Sequence, residues 1–386
     1  MPPAAHALLG ASSAERWLAC PPSARLCEKF PDTAGQAAQE GTLAHALAEL
    51  KVRSYFTVMA KSAYTRAYNK IRKDELFTAE MDRITDEYLD YIKDCAMQFS
   101  APPTVACEVK VNFSGYVPDG FGTADLIMLG GDTMRVIDFK YGMKTPVNVV
   151  ENPQLKLYAL GALAQYAMLY KVEWVILSIA QLRLGEPTEW ETTPDELYKW
   201  AAEYVQPRAQ QAYNGEGEFK DGAHCRFCRA KAKCRTYAAA NMAVTEQHTP
   251  DEDPALLTDE EVGKLLTRAE PFLKWFGAVQ TYALEAALDG KTIPGWKAVE
   301  GRSVRQFDDA DAAFADLRAA GIEDALLYER KPLTLAGVER LLGKKQFAEL
   351  CGGHVVKPAG KPTLVPESDS RKPYSRAAAD FAAIEQ

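Results

Sequence analysis

Apolar residues recur at three- and four-residue spacing across 36–100, in Leu43, Leu47 and Leu50 and again in Ile84, Tyr88, Leu89 and Ile92. That period predicts a mostly helical segment. Ahead of it, Ser12, Ser13 and Glu15 form a cap-like cluster before Trp17 and Leu18, and Cys20-Pro21-Pro22 then stops the turn. A short helix ended by prolines is predicted within 11–30. From Val105 the period changes. The runs 105–113, 122–129 and 134–139 are short, rich in Val, Ile, Phe and Met, and bounded by Gly, Pro, Asp and Asn. They predict three successive strands. Asn152 as N-cap and Pro153 at the first helical position open a helix to about residue 170, and a further strand covers 173–182. Three strands, a helix and another strand predict a mixed α/β core.

An acidic stretch with Asp251, Glu252, Asp253 and Pro254 marks a linker at 243–256. It divides a first region, 1–242, from a smaller α+β region, 257–386. There the pattern is helical to about 288, hairpin-like over 293–307, and then a run of short helices. The tail from Lys357, with Pro358, Pro362, Pro366 and Pro373, reads as largely extended. No chemistry attaches to 257–386, where Trp275, Trp296 and Tyr328 are expected in the core.

Composition narrows the class. The 386 residues, 47% hydrophobic and 25% charged, exclude disordered and fibrous architectures and allow about two or three domains. No run reaches the ~18 uninterrupted apolar residues of a membrane helix, and the N-terminus lacks the pattern of a secretory signal. A cytosolic location is expected, where eight cysteines serve as thiols or metal ligands more often than as disulfides. The net charge of −8 argues against a chain coated for non-specific nucleic-acid binding. Its distribution changes that picture: residues 1–240 carry −2 and residues 241–386 carry −6.

The chemistry centres on Gly122-Thr-Ala-Asp125 and, after a Gly-Gly-Asp turn, Asp138-Phe-Lys140. Residues two apart on a strand share a face, so Asp138 and Lys140 point together while Ile137 and Phe139 point away. A hairpin would make Asp125 their neighbour. Two carboxylates and a lysine at a sheet edge suit a metal-dependent hydrolase, in which a hard cation takes oxygen ligands and lysine offsets developing charge. A lone Asp-x-Lys is usually a solvated ion pair, so its surroundings matter. Gln154 and Tyr158 lie four apart at the start of the next helix, sharing one face and one end. His45 sits in a helix otherwise built of Ala and Leu, and Glu108 opens the strand before Asp125.

Two further features are chemical. His224-Cys225-Arg-Phe-Cys228 followed by Cys234 has the spacing C-x2-C-x5-C, which points to metal and needs a fourth ligand. That ligand is either His224, giving a zinc knuckle, or a distant cysteine; free thiols are the remaining reading. Between Lys51 and Lys73 stand Lys51, Arg53, Lys61, Arg66, Lys70, Arg72 and Lys73 with no acid, interleaved with Tyr55, Phe56, Tyr64 and Tyr68. Cations neutralise phosphates and aromatic faces stack on unpaired bases, though a solvated basic helix over packed aromatics gives the same pattern. A second basic run, Arg226, Arg229, Lys231, Lys233 and Arg235, surrounds the cysteines.

The ordered set His45, Glu108, Gly122-Thr-Ala-Asp125, Asp138-Phe-Lys140 and Gln154-x-x-x-Tyr158 resembles the PD-(D/E)XK nuclease superfamily. The resemblance covers about residues 17–240. It is nearest the RecB-type branch, with AddB and the CRISPR adaptation nucleases as iron–sulfur relatives. The segments SSAERWLACPPSARL, GTLAHALAEL, PGWKAVEGRS and GKPTLVPESDSR resemble an uncharacterised phage and prophage family within it. The resemblance implies a restriction-endonuclease-like core, a mixed sheet flanked by helices, carrying a helical insertion. It further implies Mg²⁺ or Mn²⁺ on His45, Asp125, Asp138 and the Phe139 carbonyl, with Lys140 catalytic. Gln154 and Tyr158 would steady the DNA end or the lysine, and Glu108 is the least matched position. The motif departs from many members in reading Asp-x-Lys rather than Glu-x-Lys. The iron–sulfur relatives use one cysteine before the histidine motif and three after the Gln-Tyr helix, which implies a 4Fe–4S cluster on Cys20, Cys225, Cys228 and Cys234, with Cys27 as the rival to Cys20. The zinc alternative uses Cys225, Cys228, Cys234 and His224.

The expected activity is that of a Mg²⁺- or Mn²⁺-dependent DNA exonuclease acting on linear ends. The DNA-binding track would be Lys51, Arg53, Tyr64, Arg66, Lys70, Arg72 and Lys73. The resemblance implies a phage- or prophage-encoded protein in the bacterial cytoplasm, working in recombination beside a single-strand annealing or ssDNA-binding protein. Competing readings are a non-catalytic DNA-binding module that kept the nuclease fold and a hydrolase of RNA or free nucleotides. The sequence has neither H-E-x-x-H nor a P-loop, so neither zinc-protease nor ATP-driven chemistry is indicated.

Overall fold

The change of period at Val105 is a change of layer: helices precede it and a sheet follows. The computed structural model describes residues 7–31, 35–143, 145–246, 259–299, 310–319, 335–351 and 354–355. In chain order, α1 (Ala14–Ala19), α2 (Ser23–Cys27), α3 (Gln36–Phe56), α4 (Lys61–Arg72) and α5 (Ala79–Met97) lead to β1 (Thr104–Asn112), β2 (Phe121–Gly130) and β3 (Thr133–Phe139). Then follow α6 (Pro153–Tyr166), β4 (Trp174–Ala180), β5 (Thr188–Thr192), α7 (Pro194–Trp200), α8 (Gln206–Asn214), α9 (Arg235–Glu246) and α10 (Asp259–Leu288). Among the described residues, no helix is long and apolar enough to cross a membrane.

The five strands form one mixed sheet in the order β1-β2-β3-β4-β5. All neighbours are antiparallel except β3 and β4, which are parallel. A parallel pair needs a crossover connection, and α6 supplies it. Asn152 caps α6 as expected, its side chain accepting from the N–H groups of Gln154 and Leu155, with Pro153 in the first turn. The helix ends at Tyr166, short of 170, because its buried Leu155–Leu163 stretch gives way to exposed Met168 and Leu169.

Helices cover both faces. Leu47, Val52, Ile84, Tyr88 and Ile92 of α3 and α5 pack with Leu126, Met128, Ile137 and Phe139 on one face. On the other, Leu155, Leu160 and Leu163 of α6, Leu197 of α7, and Trp17 and Leu18 of α1 pack with Ile127, Leu129, Val136 and Leu177. Ile137 and Phe139 therefore point away from Val136, as the two-residue period requires.

The sequence pattern missed β5. Its Thr-Glu-Trp-Glu-Thr sequence reads as a polar loop, and acids are common on edge strands because they discourage further pairing. Arg135, buried on β3, holds this edge through Glu189 and reaches Gln98 Oε1 at 2.7 Å.

Two compact units are distinguished, Met1–Glu285 and Ala286–Gln386. Of the expected linker at 243–256, the first four residues finish α9 and the rest lie outside the described residues. The second unit contains helices Ala310–Ala319, Leu335–Leu342 and Lys344–Cys351. Of the expected hairpin, only an isolated bridge between Ile293 and Trp296 falls among the described residues, and the tail from 357 lies outside them. Trp275 is buried as expected, whereas Trp296 is 76% exposed and is not a core residue. Tyr328 lies outside the described residues.

Candidate functional site

The sheet is distorted where its acids meet. The β1–β2 register runs from Cys107↔Leu126 to Val109↔Ala124, which sets Glu108 opposite Asp125. Cys107 and Leu126 pack on the α3–α5 side, yet Val109 and Ala124 pack on the α6 side. Residues two apart on a regular strand share a face, so both strands turn over at Glu108 and Asp125. On β1 the turnover coincides with Glu108, whose φ of 50° lies in the left-handed region. For a residue with a Cβ this costs of order 1–3 kcal/mol and persists only where surrounding structure enforces it.

The β2–β3 ladder also stops here. Beyond Leu126↔Ile137, the Phe139 N–H donates to Asp125 Oδ2 at 2.8 Å, so a side chain replaces a backbone acceptor. The other oxygen, Oδ1, lies 3.4 Å from Nδ1 of His45, which α3 presents from above. The His45 ring stands edge-on to Phe139, 5.3 Å between centroids. His45, Glu108 and Asp125 offer ligand atoms within 4.8 Å of one another, a group able to hold a metal ion. Two carboxylates and an imidazole suit a hard or borderline divalent cation.

Neighbouring acids help raise pKa values in this cluster. Burial, followed by the charges of Asp125 and Glu49, raises the Glu108 carboxyl to about 7. Burial opposes a charge on His45, but its hydrogen bond to Asp125 and the charges of Asp125 and Asp138 outweigh that and raise its pKa.

On the α6 side, Asp138 is only 2% exposed. Its Oδ1 accepts from Gln154 Nε2 at 2.9 Å, and Lys140 Nζ lies 2.8 Å from Oδ2. The Lys140 ammonium meets Oδ2 as an ion pair on an almost fully buried carboxylate. Such a carboxylate is costly unless a cation or a donor meets it. Burial raises the Asp138 pKa against the opposing charge of Lys140. Burial disfavours the Lys140 ammonium, but Asp138 outweighs it and raises the lysine's pKa. Gln154 also accepts from Lys140 at 3.4 Å and donates to the Tyr158 hydroxyl at 3.2 Å. Burial, then the charge of Asp138, raises the Tyr158 phenol. Gly122 makes room for that ring, since a Cβ there would lie 2.8 Å from a Tyr158 ring carbon.

The cysteines divide differently from a simple four. Cys20, Cys225 and Cys228 are buried and Cys234 is partly so. Cys225 feels the charges of Cys234 and Cys20, while Cys228 touches Cys27 at 3.6 Å between sulfurs, 201 residues apart. Cys27 is therefore a fifth thiol of this region. Its contact with Cys228, helped by Arg16, lowers Cys27 to about 5 and raises Cys228. A tetrahedral zinc with Zn–S near 2.3 Å holds its sulfurs about 3.8 Å apart. Among the described residues, no three of Cys20, His224, Cys225, Cys228 and Cys234 bring ligand atoms within 4.8 Å.

The basic track is corrected at its start. Lys51 is 3% exposed and pairs with Asp82 at 2.8 Å and Asp86 at 2.6 Å, so it braces α3 on α5 and is not presented to a ligand. Arg53 pairs with Glu49 at 2.8 Å. Tyr64 stacks on Tyr68, which donates to Asp82 at 2.7 Å, so these rings lie largely against the protein. Arg66, Lys70, Arg72 and Lys73 remain exposed along α4 and its end. Around the cysteines, Arg226, Arg229, Lys233 and Arg235 are exposed.

The left-handed Glu108 and the Cys27–Cys228 contact carried no sequence signal, since neither a backbone sign nor a contact across 201 residues shows in spacing.

A family model described as "Protein of unknown function (DUF2800)" matches residues 6–372. Among solved structures, the chain is similar to one titled "Crystal structure of SSO0001", at 14% identity and a TM-score of 0.25, over 58% of this chain and 96% of that one.

Proposed function

The chain belongs to the DUF2800 family, and we propose that it is a metal-dependent DNA nuclease with a PD-(D/E)XK-type core, hydrolysing phosphodiesters from DNA ends. One observation carries the reading. His45, Glu108 and Asp125 converge from α3, β1 and β2, and the buried Asp138 pairs with Lys140 beside them. A structural ion pair alone has no use for three further ligands or for strain at Glu108.

The residues fit a divalent cation: His45, Asp125 and Asp138 would hold it, with Glu108 completing the oxygen set. When bound, such an ion polarises the phosphoryl oxygen and lowers the pKa of its water. Lys140 stays protonated because Asp138 outweighs its burial, so it serves as a cation and donor at the reacting phosphate rather than as a base. Gln154 fixes both partners, donating to Asp138 and accepting from Lys140. Tyr158 supports Gln154 from the next helical turn.

The cysteine region supports a second, structural group. Cys20, Cys225, Cys228 and Cys234 would hold a 4Fe–4S cluster, with zinc on Cys225, Cys228, Cys234 and His224 as the alternative. It would tie the chain's start to the end of the nuclease core. The setting proposed is the bacterial cytoplasm, in phage DNA recombination beside a single-strand annealing protein.

The test is a time course on end-labelled linear and closed circular DNA in Mg²⁺ or Mn²⁺. Linear DNA should be shortened from its ends, and Lys140→Ala or Asp138→Asn should abolish this while leaving DNA binding. Wild-type protein with its iron intact that degrades neither single- nor double-stranded DNA would overturn the reading. Competition with RNA separates the ribonuclease alternative.

A further inference from the structure

Beside Tyr158 lies a cavity of about 570 Å³ lined by the start of β2, residues 7–16 and the cysteine loop. Gly122 and the buried Tyr158 line it together with the exposed Phe227 and Arg229. Phe227 sits between Cys225 and Cys228 and is 71% exposed, an aromatic face held in water by a buried C-x2-C frame. Arg16 is fixed in the wall by bonds from Nη1 to Ser23 O at 2.9 Å and Ser23 Oγ at 3.0 Å, and Ser12 presents an exposed hydroxyl.

The chemistry of this lining differs from that of the other large cleft. There, Glu15, Glu151, Glu191, Glu196 and Glu203 surround Lys156 and Lys199, a setting that repels phosphate. Here Glu15 is the one acid in the lining. The adjoining stretch from His224 to Arg235 carries five Lys and Arg residues and no acid. Hydroxyls and guanidiniums meet phosphates, and an exposed ring meets a base that is not paired. A duplex offers its bases only in the stack, so the exposed ring selects an unpaired strand.

We infer that this cavity seats an unpaired DNA strand between Tyr158 and the cysteine loop, with Phe227 stacking on a base and Ser12 and Arg16 meeting its phosphates. The inference rests on the nuclease reading for its direction, because the strand's reacting end would lie at Tyr158. It adds that the substrate at this end is single-stranded, and it gives the cysteine loop a role in binding.

The test uses the full chain without added divalent metal, so that binding is read apart from hydrolysis. Fluorescence anisotropy compares a labelled 20-mer of thymidine with a blunt duplex of the same length. Phe227→Ala should weaken single-strand binding about tenfold, in line with the stacking of one base on an aromatic ring. Ser12→Glu, which sets a negative charge in the wall without touching the cysteine frame, should weaken it as well and decides the matter if Phe227→Ala does not fold. Duplex affinity should not move. Unchanged single-strand affinity in Ser12→Glu and in folded Phe227→Ala, or an equal loss toward duplex, overturns the inference. Loss of strand binding in these variants, beside a wild-type protein that hydrolyses nothing, would leave the cavity standing and remove the nuclease reading. Unchanged binding in variants of an active nuclease would remove only the cavity.

Discussion

Gln154 holds Asp138: its amide donates to Oδ1 across 2.9 Å while its carbonyl oxygen faces the Lys140 ammonium. One amide thus orients both members of the Asp-x-Lys pair from the neighbouring helix. Gln154→Ala would leave Asp138 Oδ1 buried without a donor, at a cost of about 1–3 kcal/mol. The expected outcome is a lower urea midpoint together with slower hydrolysis. Gln154→Glu should be worse than alanine, because it sets a second carboxylate against Asp138. A Gln154→Ala protein as stable and as active as wild type would remove the orienting role.

The Asp138–Lys140 pair should behave as a coupled unit. Asp138 is 2% exposed at its side chain and Lys140 28%, so removing the lysine alone strands an almost fully buried carboxylate. Breaking a buried pair on one side costs about 3–5 kcal/mol, and the partial exposure of Lys140 places this case at the low end. Lys140→Met should therefore destabilise, and adding Asp138→Asn should recover much of the loss. Denaturant unfolding of the two singles and the double closes the cycle. All three variants should be inactive, so stability and activity separate. Additive losses would show that the two side chains do not interact in the folded chain.

Glu108 gives the site a pH signature. Burial, with Asp125 and Glu49 nearby, holds its carboxyl at about 7 in the folded chain, above the ordinary glutamate value. The folded state then binds this proton more tightly than the unfolded state. Its contribution is fully present below the unfolded pKa and is lost as pH rises through about 7. Metal-free protein should lose stability between pH 5 and pH 7.5, and Glu108→Gln should flatten that part of the profile. Unfolding midpoints at the two pH values make the check. A Glu108→Gln profile parallel to wild type would mean that the carboxyl titrates normally.

Much of this arrangement was legible because short-range periods fix it. The two-residue period puts Asp138 with Lys140, and the four-residue period puts Gln154 with Tyr158; both pairs meet as spaced. Asn152-Pro153 marked the start of α6 for the same local reason. What escaped was set by partners elsewhere. Lys51 looked like its basic neighbours, and only Asp82 and Asp86 on α5 reveal that it is a buried brace. Glu108 adopts a left-handed backbone that no Glu predicts, at the point where β1 changes side. The charged β5 was lost because its anchor, the buried Arg135, lies on another strand.

The cysteine loop offers a spectroscopic test that does not depend on activity. Burial, with the charges of Cys234 and Cys20, raises the Cys225 thiol, while Cys27 touches Cys228. Anaerobically purified protein should show an absorbance band near ~400 nm from thiolate-held iron. Cys225→Ser or Cys20→Ser should lose both band and iron, with lowered stability because the group joins distant parts of the chain. Cys27→Ser should keep the iron. Iron loss in Cys27→Ser with retention in Cys20→Ser would exchange their roles, and zinc in place of iron by elemental analysis would sink the cluster reading.

The divided fate of the basic track can be read in its salt dependence. Lys51 is consumed by Asp82 and Asp86, while Arg66 and Lys70 stand exposed on α4 with no ion-pair partner among the described residues. Each lysine or arginine that neutralises a phosphate contributes about 0.7–0.9 to the slope of log affinity against log salt. Lys70→Gln should therefore weaken DNA binding and lower the slope by about that amount, with no change in unfolding midpoint. Lys51→Met should do the reverse. It strands Asp82 beside Tyr68 and lowers stability, yet leaves the salt slope of the folded protein where it was. Binding titrations at four salt concentrations, beside unfolding curves for the same two variants, set the outcomes apart. A reduced slope for Lys51→Met would mean that the α3–α5 contact opens when DNA binds. An unchanged slope for Lys70→Gln would take α4 out of the interface.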